Sequence, residues 1–401
     1  MTAGTLTTTC CVVGGGPAGM MLGLLLARAG IDVTVLEKHG DFLRDFRGDT
    51  VHPSTLELMH EMGLLQEFLA RPHQEVRTLA AQIGNETVQI ADFTHMPTHS
   101  KFIALMPQWD FLDFIAKHGK ALPNFHLLMH TEATGLIEDG GRIAGVRIQD
   151  GGSIRAALTV AADGRHSILR GAAGLTVEDF AAPMDVLWFR ISRSAGDSPE
   201  TFGHVEAGRM MIMLNRQSYW QCAVIIRKGS AAALQQGPIE AFRQSVVGIS
   251  PFLADRIGEI RSWDDVKLLT VTIDRLTRWH RPGFLAIGDA AHAMSPIGGV
   301  GINLAIQDAV AAANALSGPL KRGPVDESVL AAIEQRRTFP TKVTQGIQIA
   351  IQQRLIDPVL SSTRPLRAPG ILRFLAGIPA LRFIPAYIVG VGVRPEHVRL
   401  Q

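Results

Sequence analysis

Apolar positions along this chain come in short blocks with sharp edges. Residues 6–13 end in Cys10-Cys11-Val12-Val13, residues 17–29 are almost wholly apolar, and residues 31–36 form another short run after Gly30. Continuous apolar runs of strand length fit a parallel sheet buried on both faces, and the longer run fits a buried helix. Glycine at 30 stops that helix, so the opening reads strand, helix, strand. A further helix is expected over 54–69. Residues 76–93 change to short β-prone stretches around Gly84-Asn85, helical patterning returns at 107–117, and two strands flank Gly140-Gly141. From 183 to 228 the chain is strand-like, in blocks 186–192, 210–214 and 219–227, with Asn215-Arg216-Gln217-Ser218 as a hairpin turn. Residues 284–287 form a last apolar strand and 304–316 a helix. Residues 372–393 are divided by Arg373, Arg382 and two prolines into short helices, expected to cover the site.

Chemistry enters at the first strand–helix junction. Gly14, Gly16 and Gly19 have the G-x-G-x-x-G spacing, with Pro17 and Ala18 opening the helix. The first glycine permits a tight turn, the second lets a phosphate approach the backbone, and the third lets helix and strand pack closely. The free N–H groups of the helix would face a diphosphate. Glu37 ends the second strand 23 residues after Gly14, followed by Lys38. That is the place of a ribose-binding carboxylate. Its hydrogen bonds to two ribose hydroxyls are worth about 1.5–3 kcal/mol each. The same charge repels a 2′-phosphate, so the site prefers FAD or NAD over NADP.

A second turn follows the strand 284–287. Gly288-Asp289 places an acid at a strand's carboxyl end, where open α/β sheets bind ligands. Pro296, Gly298, Gly299, Val300, Gly301, Ile302 and Asn303 then lead into the helix beginning near 304. Backbone N–H groups at such a helix start suit a partly negative ring edge.

Three fingerprints in this order carry a resemblance: Gly14 to Gly19 with Glu37, Ala162-Asp163-Gly164-Arg165-His166-Ser167 ending at Arg170, and Gly288-Asp289 through Asn303. The chain resembles the class A flavin monooxygenases of the p-hydroxybenzoate hydroxylase type, and also the polyprenyl-methoxyphenol hydroxylase-like enzymes. The resemblance implies an α/β fold: an FAD-binding Rossmann-like domain of glutathione reductase type, interrupted by a β-sheet substrate domain, with C-terminal helices. The expected boundaries are 1–72, 98–178 and 268–345 for the FAD domain, 73–97 and 179–267 for the substrate domain, and 346–401 for the helical region. Position by position, it places Glu37 on the adenosine ribose, Arg47 near the diphosphate and nicotinamide path, and Gln108 by the ribityl–phosphate region. Asp163 belongs to a motif associated with both FAD and NAD(P)H. Asp289 would bind a ribityl hydroxyl, Gly301, Ile302 and Asn303 the flavin pyrimidine edge, and Pro296 would lie beside the ring.

The resembled reaction reduces FAD with NAD(P)H as a transient co-substrate, forms a flavin C4a-hydroperoxide with O₂, and hydroxylates an aromatic or electron-rich apolar compound. No hydrolytic triad is evident, which suits an enzyme whose cofactor carries the hard chemistry. A second dinucleotide fingerprint is missing, since Gly140-Gly141 and Gly151-Gly152 lack a following apolar helix. His52 stands where it would contact flavin, assist a substrate proton, or simply satisfy a local polar partner. His292 suits local hydrogen bonding. Met211 and Met213 share one strand face, either as core or as an adaptable pocket lining. Trp220 and Gln221, on opposite faces of the next strand, are the candidates for substrate contact.

Composition narrows the setting. With 401 residues, 46% hydrophobic content and a net charge of +2, the chain can bury a large core and carries no basic tract for nucleic acid. Cys10, Cys11 and Cys222 offer neither a disulfide framework nor a zinc pattern, and no metal site is expected. No secretion signal or membrane span is evident. The cytoplasm is the expected location and a monomer or homodimer the expected state, with peripheral membrane contact as the minor alternative over 372–393. A flavin dehydrogenase or reductase, and a non-catalytic FAD-binding protein, are the competing readings. A halogenase is disfavoured because the W-x-W-x-I-P signature is absent.

Overall fold

Thr5–Val13 is the centre of an eight-stranded sheet, and its burial on both faces accounts for the unbroken apolar run. The computed structural model describes residues 4–43, 50–197 and 201–399. Thr5–Val13 pairs in parallel with Val33–Leu36 on one side and Ser153–Ala161 on the other. Parallel pairing continues outward to Phe125–Leu128 and Phe284–Ala286. Ser153–Ala161 also carries an antiparallel extension through Arg142–Ile148 to Ala133–Asp139.

The helix Pro17–Arg28 crosses between the first two strands and is apolar all round because it is enclosed. It packs on the strand Val33–Leu36, the helix Gln108–Lys120 and the long helix Val300–Arg322. One expectation changes here: the helix predicted over 54–69 is two, Pro53–Glu61 and Leu65–Leu69. Gly63, at φ +75°, ends the first of them in the left-handed region.

A seven-stranded sheet stands against this layer. Its order is Lys267–Leu269, Met184–Ser192, Tyr219–Arg227, Arg209–Asn215, Phe202–Glu206, Thr78–Ile83 and Glu86–Asp92. Chain segments far apart in sequence meet at its one parallel junction, Phe202–Glu206 beside Thr78–Ile83. The hairpin turn expected at 215–218 is present, with Gln217 at φ +64° and its N–H donating to Asn215 Oδ1.

The two faces of this sheet have different neighbours. Leu187, Phe189, Met211, Met213, Trp220 and Cys222 pack with Phe242, Val246 and Ile249 of the helix Ile239–Ile249. Trp188, Ile212, Ala223 and Ile225 look the other way, toward Ile349, Ile351 and Ile297. Trp220 as a substrate contact is therefore corrected. Its ring is fully buried in the outer core, and its Nε1–H donates to Asp197 at 2.8 Å. Met211 and Met213 are likewise core residues rather than pocket lining. The methionine and isoleucine of the inner face are Met210 and Ile212.

All three cysteines are free and buried, and burial pushes their thiols up, Cys11 to about 12. They serve as small apolar groups.

Candidate functional site

Four turns converge on the carboxyl ends of the parallel strands. At the first, Gly14 has φ +110°, and a Cβ there would lie 2.3 Å from the Ala162 carbonyl oxygen. That distance also shows that the 14–19 turn touches the 162–167 turn. At Gly19 a Cβ would lie 1.9 Å from the Gly14 oxygen, so only glycine lets the helix approach its strand this closely. Gly16 differs, because a Cβ there would meet nothing within 4 Å. Its open side, at the N-terminus of a helix begun by Pro17 and Ala18, is the space a diphosphate requires. Glu37 is buried beside this turn, its carboxylate accepting Gly15 N–H at 3.1 Å and His39 N–H at 3.0 Å. Lys38 is exposed next to it.

Asp163 keeps one carboxylate oxygen buried without a partner. Burial pushes its carboxyl above the usual range, outweighing the hydrogen bond from Ser167. Arg165 reaches across to Asp289 at 3.4 Å, and Arg170 donates to the Ala290 carbonyl at 3.4 Å and pairs with Asp274 at 3.3 Å. Guanidinium groups thus tie the 163–170 segment to the 288–290 turn. Gly288, at φ +59°, packs against Ala18 and Ala305, which brings Asp289 to the head of the first helix. Behind it the fully buried Asp308 accepts Gly288 N–H at 3.0 Å, His292 Nε2 at 2.6 Å and Arg337 Nε at 2.8 Å. Burial raises the Asp308 carboxyl, but the charges and hydrogen bonds of His292 and Arg337 together hold it below the usual range. His292 therefore does serve hydrogen bonding near its turn, with Asp308 as the partner.

The fourth turn is the loop 296–303. Gly298 and Gly299 both take left-handed φ, +75° and +64°, and Gly299 caps the helix Val300–Arg322. That helix starts at Val300 rather than near 304, so Val300, Gly301 and Ile302 are its first turn and their N–H groups have no partner within the helix. Asn303 is buried and accepts from His52 N–H at 3.1 Å and Thr55 Oγ1 at 2.7 Å, which locks the loop to residues 50–55. Thr50 Oγ1 donates to the Gly299 carbonyl at 3.2 Å.

His52 is fully buried, with Nδ1 2.7 Å from the Val389 carbonyl. A carbonyl only accepts, so Nδ1 carries the proton and Nε2 holds a free lone pair. Nε2 has no partner, and a Cβ on Gly299 would lie 3.5 Å from it. Burial lowers the pKa of this imidazole to about 4, against the weaker opposing effect of the Val389 bond. It is neutral near pH 7.

Pro296 is half-buried and held from behind by an amide ladder. Gln348 donates to the Ser295 and Ile297 carbonyls at 2.9 and 3.0 Å, and Gln345 to the Asp274 and Ala293 carbonyls at 2.8 and 3.1 Å. Gln352 donates to Ser295 Oγ at 2.8 Å. These glutamines were not singled out in the sequence, nor were Asp308 and Arg337. Gln221 lies on the inner sheet face, buried, accepting from Arg216 Nε at 2.9 Å. Gln108 begins the helix Gln108–Lys120 and is half-buried. Arg47 lies outside the described residues.

An open cradle at Gly16, the buried Glu37 at one end and the half-buried Asp289 at the other, and helix N–H groups at the loop all suit a flavin dinucleotide. The profile of the family described as an FAD binding domain matches residues 7–346. The chain belongs to that family. It is 33% identical over 388 residues to the 6-methylpretetramide 4-monooxygenase of Streptomyces rimosus, covering 94% of this chain and 92% of that one. It is 27% identical over 371 residues to the rifampicin monooxygenase of Streptomyces venezuelae, covering 89% and 74% respectively. Among solved structures, the anhydrotetracycline hydroxylase of Streptomyces rimosus superposes with a TM-score of 0.75 at 20% identity, over 97% of this chain and 77% of that one. This flavoprotein is accordingly an FAD-dependent monooxygenase. No helix among its described residues is long and apolar enough to cross a membrane.

Proposed function

We propose that this monooxygenase hydroxylates a bulky, electron-rich aromatic compound, with NAD(P)H as transient reductant and O₂ as the oxygen source. The observation that carries the reading is the inner face of the seven-stranded sheet. There Ile212 and Ile225 cluster with Ile297, the neighbour of Pro296, and Trp188 and Ala223 stand on the same face toward Ile349. Residues 73–97 and 179–267 would then form the substrate side, and the remainder up to 345 the FAD side.

Bound FAD supplies the redox chemistry. The chain's own residues bind and orient. Glu37 would take the adenosine ribose, and Gly14, Gly16, Pro17, Ala18 and Gly19 the diphosphate. Asp163 and Asp289 would hold the ribityl side, and Val300 to Asn303 the pyrimidine edge. His52 would offer the Nε2 lone pair as an acceptor, and being neutral it adds no positive charge beside the ring. Gln221 and the buried, unpartnered Trp188 Nε1–H would orient a polar group of the substrate. The apolar walls would exclude water, which keeps reduced oxygen from being lost as peroxide. The same reading places the enzyme in the cytoplasm as a monomer or homodimer.

The test loads the protein with FAD and follows NADH and NADPH oxidation with and without a pool of polycyclic phenols under isotope-labelled dioxygen. Expected are phenol-stimulated oxidation and a product carrying one labelled oxygen atom. Equal rates with and without phenols and no labelled product would refute it. Anaerobic turnover of an unsaturated compound would move the enzyme to the dehydrogenases.

A further inference from the structure

The helices Gly370–Gly377 and Phe383–Gly390 both lie along the strand Glu86–Asp92 at one edge of the seven-stranded sheet. Each has an inner side that packs: Leu372 and Ala376 join the cluster around Ile83 and Val88, while Phe383, Ala386 and Tyr387 join that around Phe93 and Met96. Each also has an outer stripe that does not. Ile371, Phe374 and Ile378, at helical spacing, are 62%, 59% and 40% exposed, and Ile384 and Ile388 are 48% and 38% exposed. Five large apolar side chains exposed on two helices that flank one strand exceed the scatter of single exposed residues on a soluble surface.

Charge identifies what this face meets. Between Asp357 and Glu396 the chain contains no acidic residue and no lysine, but has Arg364, Arg367, Arg373, Arg382 and Arg394. The nearest acids across the packing are Glu86, paired with Arg373 at 3.1 Å, and Asp92, whose carboxyl Arg382 helps to hold low. Arg394 lies apart, over Phe339, so the face has four arginines against two acids and is left positive, with Arg364 and Arg367 exposed. A second copy meeting this face about a two-fold axis would set arginine against arginine. An apolar stripe rimmed by arginine matches the boundary between acyl chains and anionic headgroups.

We infer that the face formed by residues 364–388 docks on the surface of an anionic lipid membrane. The apolar stripe inserts to the headgroup boundary and the exposed Arg364 and Arg367 pair with lipid phosphates. The helix Phe383–Gly390 also supplies the Val389 carbonyl to His52, so the docked face lies one side chain from the loop 298–299. An apolar substrate dissolved in the bilayer would reach the site without crossing water.

The test sediments the FAD-loaded full chain with phosphatidylcholine vesicles, alone or containing about one-third phosphatidylglycerol. Binding is expected only to the anionic vesicles, and should fall at about 0.5 M salt. Phe374→Ser should weaken partition about tenfold or more, and Arg367→Gln about fivefold. Both side chains are exposed, so FAD content and the rate of NAD(P)H oxidation in detergent-free buffer should stay at wild-type values. Absence of wild-type binding to anionic vesicles overturns the inference, as does equal binding by Phe374→Ser. A loss of mass in light scattering on Phe374→Ser, without vesicle binding, assigns the face to a second copy and overturns it too.

Discussion

The two sheets build their parts of the site from different material. At the carboxyl ends of the parallel sheet the site is made of backbone: turns at 14–19, 288–289 and 298–303 expose N–H groups and forbid a Cβ at defined points. On the seven-stranded sheet it is made of side chains standing on a face, each replaceable without moving the strand beneath. A backbone site is rigid and admits few residues. A side-chain roof keeps its architecture while its chemistry varies. With the seven-stranded sheet as the substrate side, as proposed above, such a scaffold would retain its cofactor while its substrate changes.

Breaking the backbone side has the largest expected effect. Gly19→Ala puts a methyl group 1.9 Å from the Gly14 carbonyl oxygen at the start of the same turn, with no flexible side chain to yield. The purified variant should lack the visible flavin absorbance and lose about 3 kcal/mol or more in urea unfolding. A variant that retains FAD at wild-type affinity would remove the argument for close packing.

The two faces of the roof come next. Trp220→Ala empties a fully buried site and should cost about 3–5 kcal/mol in stability, with KM unchanged in the surviving folded fraction. Trp188→Phe keeps an aromatic ring at a half-buried position and removes the smaller ring of the indole with its unpartnered N–H. It should change stability by under about 1.5 kcal/mol and raise KM severalfold. The opposite pattern, with Trp220 governing KM, would reverse the assignment of the faces.

The smallest effect concerns His52, whose folded pKa is lowered to about 4 from 6.5. Between those values the unfolded chain binds a proton that the folded chain refuses, so stability is intact above pH 6.5 and falls as pH drops toward 4. Thermal unfolding across that window should show an acid-side decline that His52→Gln reduces. An unchanged profile in the variant would place the proton elsewhere.

How far the sequence could be read follows from the same division. Backbone turns demand glycine, and glycine at fixed spacing is visible in a string of letters, so the strand–helix–strand opening and the convergence at Asp289 were legible. Side-chain faces are half legible. Alternation separates Trp220 from Gln221, but which face looks inward depends on the helix Ile239–Ile249 covering the outer one. The network of Asp308, Arg337 and Glu396 was not legible, because its members lie 29 and 59 residues apart. Gln345, Gln348 and Gln352 were not singled out, because the carbonyls they serve are brought to them only by the loop 293–297. The break at Gly63 was a local signal that the apolar pattern on either side concealed.

The bond from His52 to the Val389 carbonyl also sets a timetable. Its two ends are 337 residues apart, so at about 5–20 residues per second the imidazole waits roughly 17–70 s on the ribosome for its acceptor. When that interval begins the turn 14–19 and Glu37 are already made, while the turns at 162–167, 288–290 and 296–303 and the wall beside residues 52 and 299 are not. The segments beside the adenine end are thus made first, and the wall beside the reactive ring is made last.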